Sequence, residues 1–194
     1  NTSFLYLKQK KLDIGGLTPI QIDRQIDDDF KNKFTIIQKP SFAYTYLGFN
    51  LNNEKFKDLR IRQALSLAID RQELVDILFF GYGKICNGPF LPDSFAYNEN
   101  IKPITQDINK AKALLKDAGY DENNPFTFEL VTNTGNDTRI NTAQILQYQL
   151  EKAGVKMTIR VMEWQAFLNT VVHPKKFDAV ILGWSLGLMP DAYP

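Results

Sequence analysis

Histidine and cysteine are nearly missing from this chain: one of each stands among 194 residues. A lone Cys86 excludes an internal disulfide and any cysteine-based zinc site, and reads as a small buried or half-buried residue. His173 has no second His or Cys to work with. A triad, a Cys-His dyad or a zinc centre would need an unusual form. Beside Pro174, Lys175 and Lys176, it reads as a surface residue at a helix end. An excess of one charge is missing too. The 23 basic and 22 acidic residues leave +1, so attraction to nucleic acid by bulk charge is not expected. No apolar run approaches the roughly 18 residues of a membrane span. Even the longest, such as Ala179 to Leu182, are only strand-length. Gly81-x-Gly83 lacks the third Gly and the strand-turn-helix context of a phosphate loop. Asp27, Asp28 and Asp29 form an acidic run without the alternating oxygen ligands or distal Glu of a calcium loop, and a solvated helix end accounts for it. No pair of carboxylates stands out for acid–base work. These absences point to a chain that catalyses nothing and needs no metal or other cofactor.

What is present is a core and a regular pattern. Apolar residues make up 44% of the chain, enough for one large domain or two small ones. Thr2 to Lys11 reads as helix, Leu12-Asp13-Ile14 as a short strand before the Gly15-Gly16 turn, and Thr18-Pro19 opens a helix to about Asp28. Phe34 to Gln38 and Phe42 to Asn50 have strand composition. Between Asp58 and Gly81 two helices stand back to back. Ile61, Ala64, Leu65, Ala68 and Ile69 fall at helical spacing. Asp58 and Asp70 are the caps, and Glu73 stands at N3 as in a capping box. Cys86 to Pro103 is a long loop.

The last third alternates most clearly. Asp107 caps a helix ended by Gly119. Phe126 to Thr132 reads as strand, Asp137 to Ala153 as helix, and Val155 to Val161 as a half-buried strand. Glu163 to Val172 reads as a short helix and Phe177 to Leu182 as a deeply buried strand. The fold class is therefore α/β, a mixed sheet flanked by helices with right-handed crossovers. In such sheets ligands bind beyond the C-terminal ends of strands. Two loops qualify, Asn133 to Asn136 and Gly183 to Pro194. Tyr46, beside Tyr44 on a strand, serves either the sheet or a ligand. Trp184, at the end of the buried strand, either walls a pocket or caps the core.

Several segments resemble one family. The run Arg60-x-Arg62-Gln63-Ala64-Leu65-x-x-Ala68-Ile69-Asp70-Arg71 is similar to the signature of extracytoplasmic solute-binding proteins of peptide and nickel ABC importers. Lys10 to Gly15, Tyr46 to Asn50, Asp107-x-x-Lys110-Ala111-Lys112-x-Leu114-Leu115 through Tyr120, Gln147-x-x-Leu150-x-x-Ala153-Gly154-Val155 and Gly183-Trp184-Ser185 match the same family in order. The resemblance implies a two-lobed, periplasmic-binding-protein-like clamp that closes on a solute and delivers it to an ABC permease. On that resemblance residues 1–194 are most of the second lobe. The start at Asn1 and the stop at Pro194 read as an excised piece, without the first lobe or the tail of the second.

The resemblance also implies a monomer, periplasmic or anchored at the cell surface as a lipoprotein, with oligopeptides as the leading ligands. Peptide-binding members hold the ligand's ammonium with an Asp shortly after the Gly-Trp pair. The matching position here is Gly187, within Trp184-Ser185-Leu186-Gly187, and Asp191 is the nearby carboxylate that could replace it. Dipeptide-binding members hold the carboxylate with an Arg at the end of the strand before the long helix, where this chain has Asn133. Both departures favour longer peptides, held by main-chain hydrogen bonds. A metal chelate, haem or an oligosaccharide is the alternative solute, and an enzyme of unknown type is a different class.

Overall fold

The computed structural model describes residues 2–39, 41–92 and 94–186. Four strands form one sheet in the order β1-β4-β2-β3: β1 (Ala43–Phe49), β2 (Thr127–Asn133), β3 (Lys156–Met162) and β4 (Ala179–Ser185). β2 runs parallel to both β3 and β4, whereas β1 is antiparallel to β4. The sheet is therefore mixed. The C-terminal ends of β2, β3 and β4 share one edge with the start of β1.

Helix α4 (Leu59–Ala68) forms because Ile61, Ala64, Leu65 and Ala68 align on one buried stripe, with Asp58 accepting the Arg60 N–H at its start. α6 (Ile108–Asp117) lays Ala111 and Leu115 against it, and α7 (Asp137–Lys152) adds Ala143, Leu146 and Leu150. These helices cover one sheet face through Leu130, Ala179 and Ile181. On the other face Val131 and Val180 pack against Phe167 of α8 (Trp164–Phe167) and Val171.

Arginines of the Arg60–Arg71 run act as carbonyl clamps. Arg60 donates to the Asp117 carbonyl at the end of α6, and Arg62 to those of Phe56 and Lys57. Arg71, at the start of α5 (Arg71–Phe79), donates to the Ser66 and Ile104 carbonyls and so holds the long loop. Buried helix ends need such partners.

Ahead of the sheet stand α1 (Thr2–Lys8), α2 (Pro19–Arg24) and α3 (Asp28–Lys33), and α1 and α3 share their own cluster of Phe4, Leu7 and Phe30. Arg24 stacks on Phe80 at the end of α5, 4.9 Å from the ring centroid.

The sequence reading needs correction at several places. The helix expected to run to Asp28 is two, because Asp27 caps α3 by accepting the Phe30 N–H. Leu12 to Ile14 and Phe34 to Gln38 are not strands: neither has a ladder partner, and Phe34 instead stacks on Phe30 at 4.8 Å. The helix expected to Val172 is α-helical only to Phe167. A π-turn over Leu168–Val172 follows, closed by the His173 N–H on the Leu168 carbonyl. The last strand ends at Ser185 rather than Leu182, so Trp184 lies within it.

Candidate functional site: the C-terminal edge of the sheet

α7 starts just beyond β2, and α8 just beyond β3. Their first turns therefore stand at the shared edge. The ladder between β2 and β4 comprises Leu130 with Ala179 and Val131 with Val180. Past it, the Arg139 side chain from α7 lies across the strand ends. Its Nη1 donates to Asn133 Oδ1 at 2.7 Å. Its guanidinium is 5.6 Å from the Trp164 ring centroid, within cation–π range. Gly183 lies beside it: a Cβ there would meet Arg139 Nη2 at an ordinary contact distance of 3.5 Å but would crowd the Tyr44 carbonyl oxygen at 3.1 Å.

Asn133 is only 7% exposed and closes β2, with its Nδ2 donating to the Thr134 carbonyl at 2.8 Å. Trp184 faces Tyr44 across the β1–β4 ladder and is 44% exposed, so it is not a core residue. Tyr46 is half-buried, its ring 6.0 Å from that of Tyr44. Burial, and next the Tyr44 phenol, push the Tyr46 hydroxyl above its ordinary pKa, while Arg139 opposes this. Ser185 is exposed at the end of β4, and Leu186 donates its N–H to the Phe42 carbonyl. Gly187 and Asp191 lie outside the described residues.

Two site residues escaped the sequence reading, Arg139 and Trp164. Each stands in the first turn of the helix that follows a parallel strand. A basic or aromatic residue in such a first turn is the signal that could have found them. Desolvation lowers the pKa of Arg139, which stays charged because guanidinium titrates far above neutrality. Among the described residues no carboxylate forms an ion pair with it.

A concavity lies at the opposite edge, around Asn50, Asn53, Glu129, Lys175 and Asp178. Its polar groups satisfy one another. Asp178 accepts from Asn53 Nδ2 at 2.6 Å, Lys55 Nζ at 3.0 Å and the Glu129 N–H at 3.1 Å. The Asn50 amide donates to the Lys175 and Phe177 carbonyls, both at 2.9 Å. This network stitches β1, β2 and β4 together, so it is structural. Cys86 is half-buried, and burial pushes its thiol pKa up, which makes it less reactive.

The mixed α/β sheet thus carries aromatic, amide and cationic groups at the carboxyl ends of its parallel strands, where sheets of this class bind ligands. The chain belongs to the family described as bacterial extracellular solute-binding proteins, family 5 middle, whose model matches residues 1–194. It is 35% identical over 175 residues to the oligopeptide-binding protein AppA of Bacillus subtilis strain 168, covering 84% of this chain and 32% of AppA. Over 184 residues it is 29% identical to the di/tripeptide-binding protein 1 of Pseudomonas aeruginosa UCBPP-PA14, covering 92% of this chain and 34% of that protein. The chain thus spans about a third of the length of these curated relatives.

Among solved structures, Bacillus subtilis AppA in complex with a nonapeptide matches all of this chain and 40% of its own, with a TM-score of 0.79 and 29% identity. NikZ of Campylobacter jejuni in complex with Ni(L-His) covers 98% of this chain and 39% of its own, with a TM-score of 0.77 and 30% identity.

Proposed function

We propose that this chain is most of the second lobe of a non-enzymatic, extracytoplasmic solute-binding protein of an ABC importer. Its leading ligand class is oligopeptides. The observation that carries the reading is the edge described above. Asn133, Arg139, Trp164, Trp184 and Tyr46 converge there from separate elements, as the wall of a cleft requires. The nonapeptide held by AppA supports a peptide. The first lobe supplies the opposite wall, and the loaded protein, a monomer in the periplasm or anchored at the cell surface, docks on its permease.

A second reading is a metal chelate, favoured by the likeness to NikZ. No group of three or more His, Cys, Asp or Glu able to hold a metal ion occurs among the described residues. On this reading the ion arrives with its own ligands.

The test is tandem mass spectrometry of the solute that co-purifies with the full-length protein. A peptide is expected, and a nickel chelate or sugar refutes the peptide reading. Trp184→Ala in that protein is expected to weaken binding about tenfold, or about 1.4 kcal/mol. The melting temperature should barely move, because the ring is already exposed. A large thermal loss with unchanged affinity would make Trp184 a packing residue.

A further inference from the structure

We infer that Arg139 is an anchor for a carboxylate of the bound solute, an inference that rests on the sheet edge being one wall of the cleft. Among the described residues, the groups that hold the guanidinium in place leave its charge unneutralised. Asn133 Oδ1 fixes one nitrogen at 2.7 Å, and the Trp164 ring covers the cation at 5.6 Å. The other nitrogen lies beside Gly183, near the end of β4. These partners are neutral, and none of the ion pairs among the described residues includes Arg139.

A half-buried cation with neutral partners at a cleft edge calls for an anion. Guanidinium matches a carboxylate with two parallel N–H donors, so the ligand's geometry is read along with its charge. Its position is set from both sides. The Arg139 N–H donates to Asn136 Oδ1 at 3.0 Å, which pins the first turn of α7, and Asn133 closes β2. The side chain is thus ordered before ligand arrives, which lowers the entropy lost on binding. The positive end of the 16-residue α7 points to the same edge and favours the same charge.

The experiment uses the full-length protein and a nonapeptide of alanine and serine, as free acid, as C-terminal amide, and as the amide with one glutamate. Calorimetry on wild type should give about tenfold or more tighter binding of the free acid than of the plain amide. In Arg139→Gln that ratio should fall to near one, with Arg139→Lys in between. If the carboxylate is a side chain's, the glutamate amide shows the gain instead, with the same collapse. A gain that survives Arg139→Gln overturns the inference, and so does the absence of any gain in wild type. Wild type alone can deliver that second refutation, even if Arg139→Gln misfolds.

Asp191→Asn separates the two charges: any loss from removing the candidate ammonium anchor should fall on free acid and amide alike and leave their ratio unchanged, whereas a ratio that collapses as in Arg139→Gln would overturn the inference. Failure of the broader reading looks different. If the co-purified solute is a non-peptide acid lost from Arg139→Gln, the anchor stands and the peptide reading falls. A peptide retained equally by Arg139→Gln does the reverse.

Discussion

Phe56→Ala is expected to destabilise the fold by about 3–5 kcal/mol, the range for truncating a buried aromatic residue. Phe56 is fully buried at the end of a single 3-10 turn, Glu54–Phe56, that joins β1 to α4. Its ring stacks on Phe49 at 5.0 Å and meets Phe126 and Phe128 edge-on at 5.8 and 5.7 Å. Those partners come from β1, from the approach to β2 and from β2 itself. One side chain therefore joins segments distant in sequence. Truncation removes apolar area and leaves a cavity whose walls are rigid rings, which collapse poorly. Chemical denaturation should show a lowered midpoint at unchanged slope. Phe56→Leu keeps most of the volume and should cost less. A loss below about 1 kcal/mol for the alanine variant would show that the rings repack, contrary to this account.

Gln149→Leu should cost about 2–4 kcal/mol, although leucine is apolar and close in volume. Gln149 is fully buried in α7 and binds the start of α5 at three points. Its Oε1 accepts the Asp70 N–H at 3.0 Å, and its Nε2 donates to the Asp70 carbonyl at 3.2 Å and to Glu73 Oε2 at 2.6 Å. Leucine leaves the Asp70 N–H without this partner and the Glu73 carboxylate without its donor. The bond to a charged group alone is worth about 1.5–3 kcal/mol. Gln149→Glu tests the electrostatics separately. The new carboxylate would face that of Glu73, so its folded pKa would lie above its unfolded one. Its penalty is then absent below the ordinary carboxylate range near about 4 and grows as pH rises through that range. The Glu variant should approach wild type in acid and fall away at neutral pH. A neutral effect of Gln149→Leu would mean that packing alone joins α5 to α7.

The same residue shows where sequence is silent. Asp70 and Glu73 have the spacing of a capping box, and Asp70 does cap α5 through the Gln72 and Glu73 N–H groups. Glu73, however, bonds Gln149 and does not reach back to the Asp70 N–H, because a buried amide 79 residues away already holds it. Local patterns legible in the chain came through well: the stripe of α4, the caps at Asp58 and Asp107, and alternation along β3 as far as Ile159, beyond which Val161 is exposed. Short elements with no repeat to read did not. Ile14 and Ile37 look like strand residues but are exposed, since β composition cannot supply a neighbouring strand.

For the site, Asn133 was legible at the end of a strand and Trp184 as an aromatic following the buried strand, which in the fold extends to include it; their ligand role rests on the proposal above. Arg139 was not, because it sits six residues past Asn133 and only the fold of α7 brings it back. The arginines that carry the family likeness most strongly, Arg60, Arg62 and Arg71, are occupied with backbone carbonyls. They report the scaffold and not the solute.

The antiparallel pairing of β1 with β4 has a consequence for the nascent chain. Asn50, at the end of β1, bonds the carbonyl of a residue 125 positions further on. At about 5–20 residues per second, a ribosome needs roughly 6–25 s to supply that partner. During that interval Leu47 and Phe49 have no strand to lie beside, and an unpaired apolar strand is a target for chaperones and for aggregation. The Tyr44–Trp184 pair forms near the end of the ladder, with only Ala43–Ser185 after it, so this sheet edge is assembled only once synthesis has passed β4.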